Sequence, residues 1–238
     1  MVSHICQNRA NMGHPAIGAG IETKSRLVIR TGVCIRCRPK MVYSVDMAAT
    51  TTQKIARAAR RLLDKEGAEG VTMRRVASAV GITPMALYRH YSDRDGLLNA
   101  LSDNGFVELT AKLAKQRLTG GIDHQLLQIL DVFLDHAFDH PRLFELMFLT
   151  KREGARQYPE DFRTRQSPTA NVSADVIAGA MESGYLQKDD VWEIVFETGA
   201  LMHGLVMLYL GGRMAMSPSE FRSYCHRSFG RYLNGIRN

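Results

Sequence analysis

The chain has 238 residues, of which 45% are hydrophobic and 23% are charged, and its formal net charge is +7. These values are ordinary for a globular protein, and they exclude a chain that is disordered throughout, a collagen-like repeat and a disulfide-rich scaffold. The four cysteines, Cys6, Cys34, Cys37 and Cys225, are too few and too scattered for a secreted disulfide framework. We therefore expect a cytoplasmic protein.

Positive charge is concentrated towards the amino terminus. Residues 1–46, here called the amino-terminal extension, contain seven Lys and Arg against two Asp and Glu. Residues 47–95 contain nine against five, and residues 96–238 contain fifteen against seventeen. A basic first part joined to a mildly acidic remainder is typical of a chain that binds a polyanion at one end. The charge distribution therefore predicts a nucleic-acid partner.

The amino-terminal extension has neither a helical nor a strand period, and we predict that it is disordered. It contains Cys34 and Cys37 in a C-x-x-C spacing, which could chelate zinc together with Cys6, His4 or His14. A second closely spaced pair of ligands is missing, and a tail of this kind more often binds no metal. The prediction for the chain is therefore no metal.

A helical pattern begins after Thr50. Apolar residues at helical spacing predict a first helix over Thr51–Glu66, which Gly67 ends. Thr72 is of the right type to cap a second helix over Met73–Val80, since its side-chain oxygen can accept a hydrogen bond from a free backbone N–H. The sequence thus predicts two helices in close succession.

A glycine turn separates the second helix from a third. Gly81 suits the positive φ of a helix end, Thr83 can cap the third helix and Pro84 occupies its first position. Two short helices that meet at a tight turn are typical of a helix-turn-helix, whose second helix enters the DNA major groove. Ser92, with Asp95 three residues later, predicts the capping box of a fourth helix that starts at about residue 93.

The segment from Thr72 to Leu98 resembles the DNA-binding signature of the tetracycline-repressor (TetR) family. The motifs that carry the resemblance are T-x-x-x-V-A from Thr72, Gly81-Ile-Thr, Leu87-Tyr88-x-His90-Tyr91 and Arg94-Asp95. The resemblance covers about 51–101, and the family more often has Lys at position 94 and a larger residue at 96. It implies an all-α fold, with a three-helix helix-turn-helix DNA-binding domain over 47–95 and a helical ligand-binding and dimerisation domain over 96–238.

The resemblance also assigns roles to individual residues. The predicted DNA-binding residues are Thr72, Arg74, Thr83, Pro84, Met85, Tyr88, Arg89, His90 and Arg94. By the resemblance, Tyr88 and Arg94 contact phosphates, the two threonines add contacts at helix N-termini, and Arg74, Pro84, Met85 and Arg89 approach base edges. The forked guanidinium of Arg74 suits guanine O6 and N7. The alternatives are solvated surface charges for the arginines, helix packing for Tyr88, and packing or capping for His90.

After Leu101 the sequence predicts only helices. The predicted helices are 122–138, 168–184, 189–210 and 218–236, 143–149 is a short apolar piece, and 154–166 is predicted to be a loop. The most apolar stretch, 199–212, is shorter than the roughly 20 residues that a membrane-spanning helix needs, so no membrane contact is expected.

The last two helices carry more apolar residues than a monomer is expected to expose. These residues are Val191, Ile194, Leu201, Leu205 and Leu208, followed by Phe221, Cys225, Phe229, Tyr232 and Leu233. The resemblance implies that such a pair forms a four-helix interface in a homodimer, with Gly199 and Gly204 allowing close approach. The alternative is ordinary core packing.

The resemblance further implies a mostly apolar pocket for a small-molecule effector among the middle helices. Candidate pocket residues are Phe106, Phe133, His136, Phe144, Met147, Phe148, Trp192 and Phe196. Most aromatic residues in such a region belong to the plain core, and no ligand class follows from the sequence.

The sequence as a whole predicts a ligand-responsive transcriptional regulator, most often a repressor, that binds a pseudo-palindromic double-stranded DNA operator as a homodimer and needs no cofactor. One alternative is a helical metal-dependent enzyme built on His136 and His140, although two histidines at a helix exit are more often surface groups that compensate the helix dipole. The common catalytic motifs are missing, so we expect no enzyme activity. The other alternative is a DNA-binding protein without sequence preference.

Overall fold

The computed structural model describes residues 49–238, which fold as α-helices with one 3-10 turn over Ala68–Gly70. The helices are α1 (Thr51–Glu66), α2 (Met73–Val80), α3 (Pro84–Tyr88), α4 (Arg94–Lys115), α5 (Ile122–Asp139), α6 (Pro141–Phe148), α7 (Glu160–Arg163), α8 (Pro168–Glu182), α9 (Val191–Leu210) and α10 (Pro218–Gly235). The all-α prediction is confirmed. The expected disorder of the amino-terminal extension and its zinc motif lie outside the described residues.

Side-chain caps start α2 and α3 where the sequence predicts them. Thr72 Oγ1 accepts a hydrogen bond from the Arg75 amide at 3.3 Å, and Thr83 Oγ1 accepts one from the Ala86 amide at 3.2 Å. The prediction for the fourth helix is wrong by one residue, since Asp93 and not Ser92 is the N-cap. The Asp93 carboxylate accepts from the Gly96 amide at 2.6 Å, and a carboxylate caps a helix as well as a hydroxyl does.

The turn between α2 and α3 depends on Gly81. Its backbone lies in the left-handed region, with φ of 76° and ψ of 33°, which a residue with a side chain rarely adopts. The Ile82 amide then donates to the Ala77 carbonyl at 3.0 Å, which closes the end of α2. This turn lets α3 leave α2 at the angle that a helix-turn-helix requires.

Helix α4 connects the two halves of the described chain. It packs against α1 on one side and against α5, α6 and α8 on the other. A Cβ at Gly105 would lie 2.5 Å from Met147 Sδ, so α4 and α6 approach more closely than a larger residue would allow. The boundary predicted between 95 and 96 therefore falls in the first turn of one continuous helix.

The carboxy-terminal helices correct two predictions. The segment 154–166 contains α7, a single helical turn, and is not entirely a loop. Most of the apolar residues assigned to a dimer interface are buried or half-buried in the chain's own core instead, because they lie on the inner faces of α9 and α10. Buried members of that set are Ile194, Phe221, Cys225, Phe229 and Leu233, and only Leu208 is exposed.

Helix α9 is 20 residues long and, by length and composition alone, is apolar enough to cross a membrane. The length argument made from the sequence is therefore wrong, because the helix starts eight residues before the most apolar stretch. In the structure α9 packs against α8 and α10, and its most apolar window is 28% buried. Much of its apolar surface therefore has no cover within residues 49–238.

Candidate DNA-binding surface and ligand cavity

The surface formed by the start of α2 and by α3, here called the reading surface, presents most of the predicted DNA-binding residues to solvent. Its exposed side chains are Arg74, Thr83, Pro84, Met85, Tyr88 and Arg89. Met85 is 70% exposed and Tyr88 is 48% exposed. Leu87, on the opposite face of α3, is fully buried against the core. Helix α3 is thus anchored by one face and offers the other to a partner.

The two arginines of the reading surface have no hydrogen-bond or ion-pair partner within residues 49–238. Arg75, the neighbour of Arg74, differs: its guanidinium donates to both carboxylate oxygens of Glu66, at 2.6 and 2.7 Å, and to the Gly70 carbonyl. The hydrogen bond from Arg75 lowers the pKa of Glu66 below its usual value. Arg75 therefore holds α2 against the end of α1, whereas Arg74 is available for DNA.

His90 lies just beyond α3 and contacts α1. Its Nδ1 is 3.1 Å from Thr52 Oγ1, a hydrogen-bond distance. This contact ties the end of α3 to the first turn of α1. It agrees with the capping or packing alternative and leaves base reading by His90 as a prediction.

Arg94 has partners inside the protein that the sequence did not suggest. Its Nε donates to the Val71 carbonyl at 2.9 Å, and an Nη donates to the Ala68 carbonyl at 2.7 Å. Glu69 lies 3.4 Å from the same guanidinium. Arg94 therefore fastens the start of α4 to the connection between α1 and α2, and a phosphate would have to compete with these partners.

A cavity of about 500 Å³ lies among α4, α5, α8, α9 and the connection between α6 and α7. Five of the predicted pocket residues line it: Phe106, Phe133, Met147, Phe148 and Phe196. Aliphatic side chains from α4, α5 and α8 contribute to the remaining wall, together with residues of α9 and of the connection between α6 and α7. Its size and apolar lining fit a site for a small organic molecule.

Three predicted pocket residues, Phe144, Trp192 and His136, do not line the cavity, because their positions on the helices point them away from it. Phe144 is fully buried and packs edge-on against Phe133, with ring centroids 5.2 Å apart. Trp192 lies beside the guanidinium of Arg165, whose Cζ is 5.9 Å from the centroid of the Trp192 ring. His136 is fully buried, and its Nε2 is 3.3 Å from Met147 Sδ.

The structure does not support a metal site at His136 and His140, because His136 is buried in the core. Burial is the main cause that lowers the pKa of His136 to about 4, so its imidazole is neutral near pH 7. His136 is therefore a core residue, contrary to its interpretation as a surface group that compensates the helix dipole. In the part of the chain that the structure describes, no cluster of three His, Cys, Asp or Glu side chains is arranged to hold a metal ion.

Sequence reasoning missed the three basic residues of the cavity, namely Arg152, Arg156 and His203. Arg156 lies in the segment 154–166 that was predicted to be a loop, and Arg152 lies just before it. His203 lies inside the apolar stretch of α9, where its neighbours in sequence suggested only burial. No local pattern could have found them, because the cavity is assembled from segments that are far apart in the chain.

Family models match both halves of the described chain. Residues 55–101 match the bacterial regulatory proteins of the tetR family, and residues 126–229 match the tetracyclin repressor-like C-terminal domain. Together these matches span more than half of the 238 residues. The chain belongs to the TetR family. It is a DNA-binding transcriptional regulator, in a family whose members are typically dimeric, responsive to ligands and not enzymes.

Curated relatives of this TetR-family chain are distant. An uncharacterized HTH-type transcriptional regulator of Bacillus subtilis, YobS, is 21% identical over 158 residues, which are 66% of this chain and 78% of that protein. The class A tetracycline repressor from transposon 1721, in Escherichia coli, is 30% identical over 102 residues, which are 43% of this chain and 42% of the repressor. The chain thus matches less than half of the tetracycline repressor.

Solved structures show the same fold. A protein of unknown function from Rhodococcus sp. RHA1 aligns with a TM-score of 0.66 at 21% identity, over 82% of this chain and all of that one. PfmR, a TetR-family regulator from Thermus thermophilus, aligns with a TM-score of 0.56 at 16% identity, over 80% of this chain and 99% of that one. At these identities the likeness concerns the fold alone.

Proposed function

We propose that this TetR-family chain is a homodimeric repressor that binds a pseudo-palindromic operator and releases it when a small molecule occupies the cavity. The proposal rests on helix α4, which links the helix-turn-helix to the cavity. Its first residue, Arg94, is bonded to the base of the helix-turn-helix, and its middle, at Phe106 and Leu109, lines the cavity. A ligand that displaces the middle of α4 would therefore move the reading surface.

We propose that some residues of the reading surface contact bases and that others contact phosphates. Arg74 and Arg89 supply guanidinium groups that have no partner within residues 49–238 for base edges, and Met85 supplies apolar contact to a thymine methyl group. Tyr88 and the N-termini of α2 and α3, at Thr72 and Thr83, would bind phosphates. These assignments rest on exposure and on the family resemblance.

The outer face of α9 is proposed as the centre of the dimer interface. Ala200, Met207 and Leu208 lie three or four residues from Gly204 on this face, and all four residues are exposed in the single chain. A Cβ at Gly204 would meet no atom within 4 Å, so a second helix has room to approach there. An exposed apolar stripe of this kind is typical of a protein–protein interface.

A partner helix also accounts for the apolar character of α9 without a membrane. We therefore propose a cytoplasmic location. We also propose that the chain has no enzyme activity, as in the rest of the family.

The dimer is tested by Gly204→Glu, which places a charge at the centre of the stripe. We expect the variant to sediment as a 26.6 kDa monomer and to lose most of its operator affinity, because two half-sites can no longer be bound together. Gly179→Glu, at an exposed glycine of α8 that also has no neighbour within 4 Å, is the matched control. A Gly204→Glu variant that remains dimeric would contradict the proposed interface.

Selection of bound genomic fragments tests the operator. We expect one recurring palindrome, bound far more tightly than a scrambled duplex of the same composition. Equal affinity for both duplexes would instead favour the alternative of DNA binding without sequence preference.

A further inference from the structure

The charged groups at the cavity all lie at one end. Arg152 and Arg156 come from the connection between α6 and α7, and both guanidinium carbons lie 5.6 Å from the ring centroid of Phe106. Apart from His203, the rest of the lining is apolar or carries small hydroxyl groups. Two cations therefore flank one aromatic ring of an otherwise uncharged cavity.

The positive charge at this end is only partly balanced. Arg152, whose side chain is 8% exposed, donates one hydrogen bond to Asp103 at 3.0 Å. Arg156 donates through Nε to the Gln166 carbonyl, and within residues 49–238 no carboxylate lies within ion-pair distance of it. The cavity therefore has an excess positive charge and guanidinium donors beyond those already bonded.

The aromatic side of the cavity around Phe133 and Phe148 carries no charge. His203 packs among the rings of Phe133 and Phe148, at centroid distances of 4.8 and 4.5 Å, and its Nδ1 donates to the Gly199 carbonyl at 2.7 Å. Its Nε2 is shielded from solvent. Burial lowers the pKa of the His203 imidazole, so it is neutral near pH 7 and adds no third cation to the two arginines.

We propose that the cavity binds an amphipathic carboxylate, that is, an apolar chain or ring system with a single carboxylate head group. The head group binds Arg156 and Arg152 beside Phe106, and the apolar part extends along Phe148 towards His203. A planar carboxylate matches the fork of an arginine, and burial of the apolar part supplies most of the affinity. This inference rests on the proposed function only in naming the ligand as the effector.

The test uses three probes with the same chain and different heads: dodecanoate, 1-dodecanol and dodecyltrimethylammonium. Binding of each to the purified full-length protein is measured by titration calorimetry below the concentration at which the probe aggregates. We expect dodecanoate to bind about tenfold more tightly than 1-dodecanol, and the cation to bind most weakly. Equal or tighter binding of 1-dodecanol would overturn the proposal.

Variants of Arg156 locate the head group. Arg156→Gln should weaken dodecanoate binding about tenfold and leave 1-dodecanol binding unchanged, and Arg156→Glu should reverse the preference in favour of the cation. Arg117→Gln removes one positive charge from an exposed site outside the cavity lining and should change neither affinity. Equal losses of dodecanoate affinity in Arg117→Gln and Arg156→Gln would overturn the proposed contact.

Operator release separates this inference from the proposed function. If dodecanoate binds in an Arg156-dependent manner but does not release the operator, the ligand class stands and ligand-induced release by this class is wrong. If the protein binds an operator as a dimer but shows no preference for dodecanoate, the ligand class is wrong and the DNA-binding function stands.

Discussion

The helix-turn-helix, 51–98, and the carboxy-terminal helices, 122–235, pack their apolar side chains differently. In the former, α1 to α4 close around side chains such as Leu63, Val76 and Leu87, which have no exposed surface. In the latter, the helices leave a cavity of about 500 Å³ and an uncovered stripe on α9. The reading surface therefore lies on a filled core, whereas the carboxy-terminal helices leave room for the ligand and the partner helix that we propose.

The largest expected effect compares one leucine from each region. Leu87→Ala should lower the free energy of unfolding by about 2–5 kcal/mol, because it opens a new void in a filled core. Leu126→Ala, at an equally buried residue that already lines the cavity, should cost close to the lower end of that range. Chemical denaturation of both variants measures the difference, and equal costs would contradict the contrast in packing.

The pH dependence of stability should reveal the buried histidine of α5. The pKa of His136 is about 4 in the folded protein against an ordinary value of 6.5, so the unfolded chain binds the proton more readily between these values. The stabilising contribution is present above about pH 6.5 and is lost as the pH falls towards 4, by about 2 kcal/mol at about pH 5. His136→Leu should show a smaller loss between about pH 7.5 and about pH 5; a loss as large as that of the wild type would contradict this account.

Arg74 tests the reading surface itself. Arg74→Ala should weaken operator binding by about 1–3 kcal/mol and relax the preference at one base pair in each half-site, because a bidentate contact to guanine is lost. Binding to the operator and to a scrambled duplex separates this effect from a general loss of charge. Arg117→Ala serves as the control. If Arg74→Ala weakened binding to both duplexes equally, base reading by Arg74 would be wrong.

Arg94 gives the smallest expected effect and separates two roles. Because its guanidinium is bonded to two carbonyls, Arg94→Ala should lower the free energy of unfolding by about 1–2 kcal/mol. The slope of log K against log salt should stay near that of the wild type. A slope reduced by about one unit would show that Arg94 also neutralises a phosphate, as the family resemblance suggests.

The starts of α1, α2 and α3 and the glycine turn could be predicted from the sequence, because caps act over three or four residues. Thr72, Thr83 and Gly81 each perform in the structure the local role that their residue types suggest. The predicted N-cap of α4 was Ser92 and the observed one is Asp93. These residues are adjacent, and both types are good caps. The extents of α5, α8, α9 and α10 were also predictable, since their apolar spacing is helical.

Only the tertiary structure decided which faces of those helices are inside. Ile194 and Phe221 are core residues of the single chain, whereas Gly204 and Met207 on the opposite face of α9 are uncovered. Arg74 and Arg75 are adjacent and chemically identical, yet within residues 49–238 only Arg75 contacts a carboxylate, that of Glu66 at the end of α1. Local sequence specifies helices and caps because those interactions span one turn, but burial, ion pairing and the cavity depend on which distant segments meet in space.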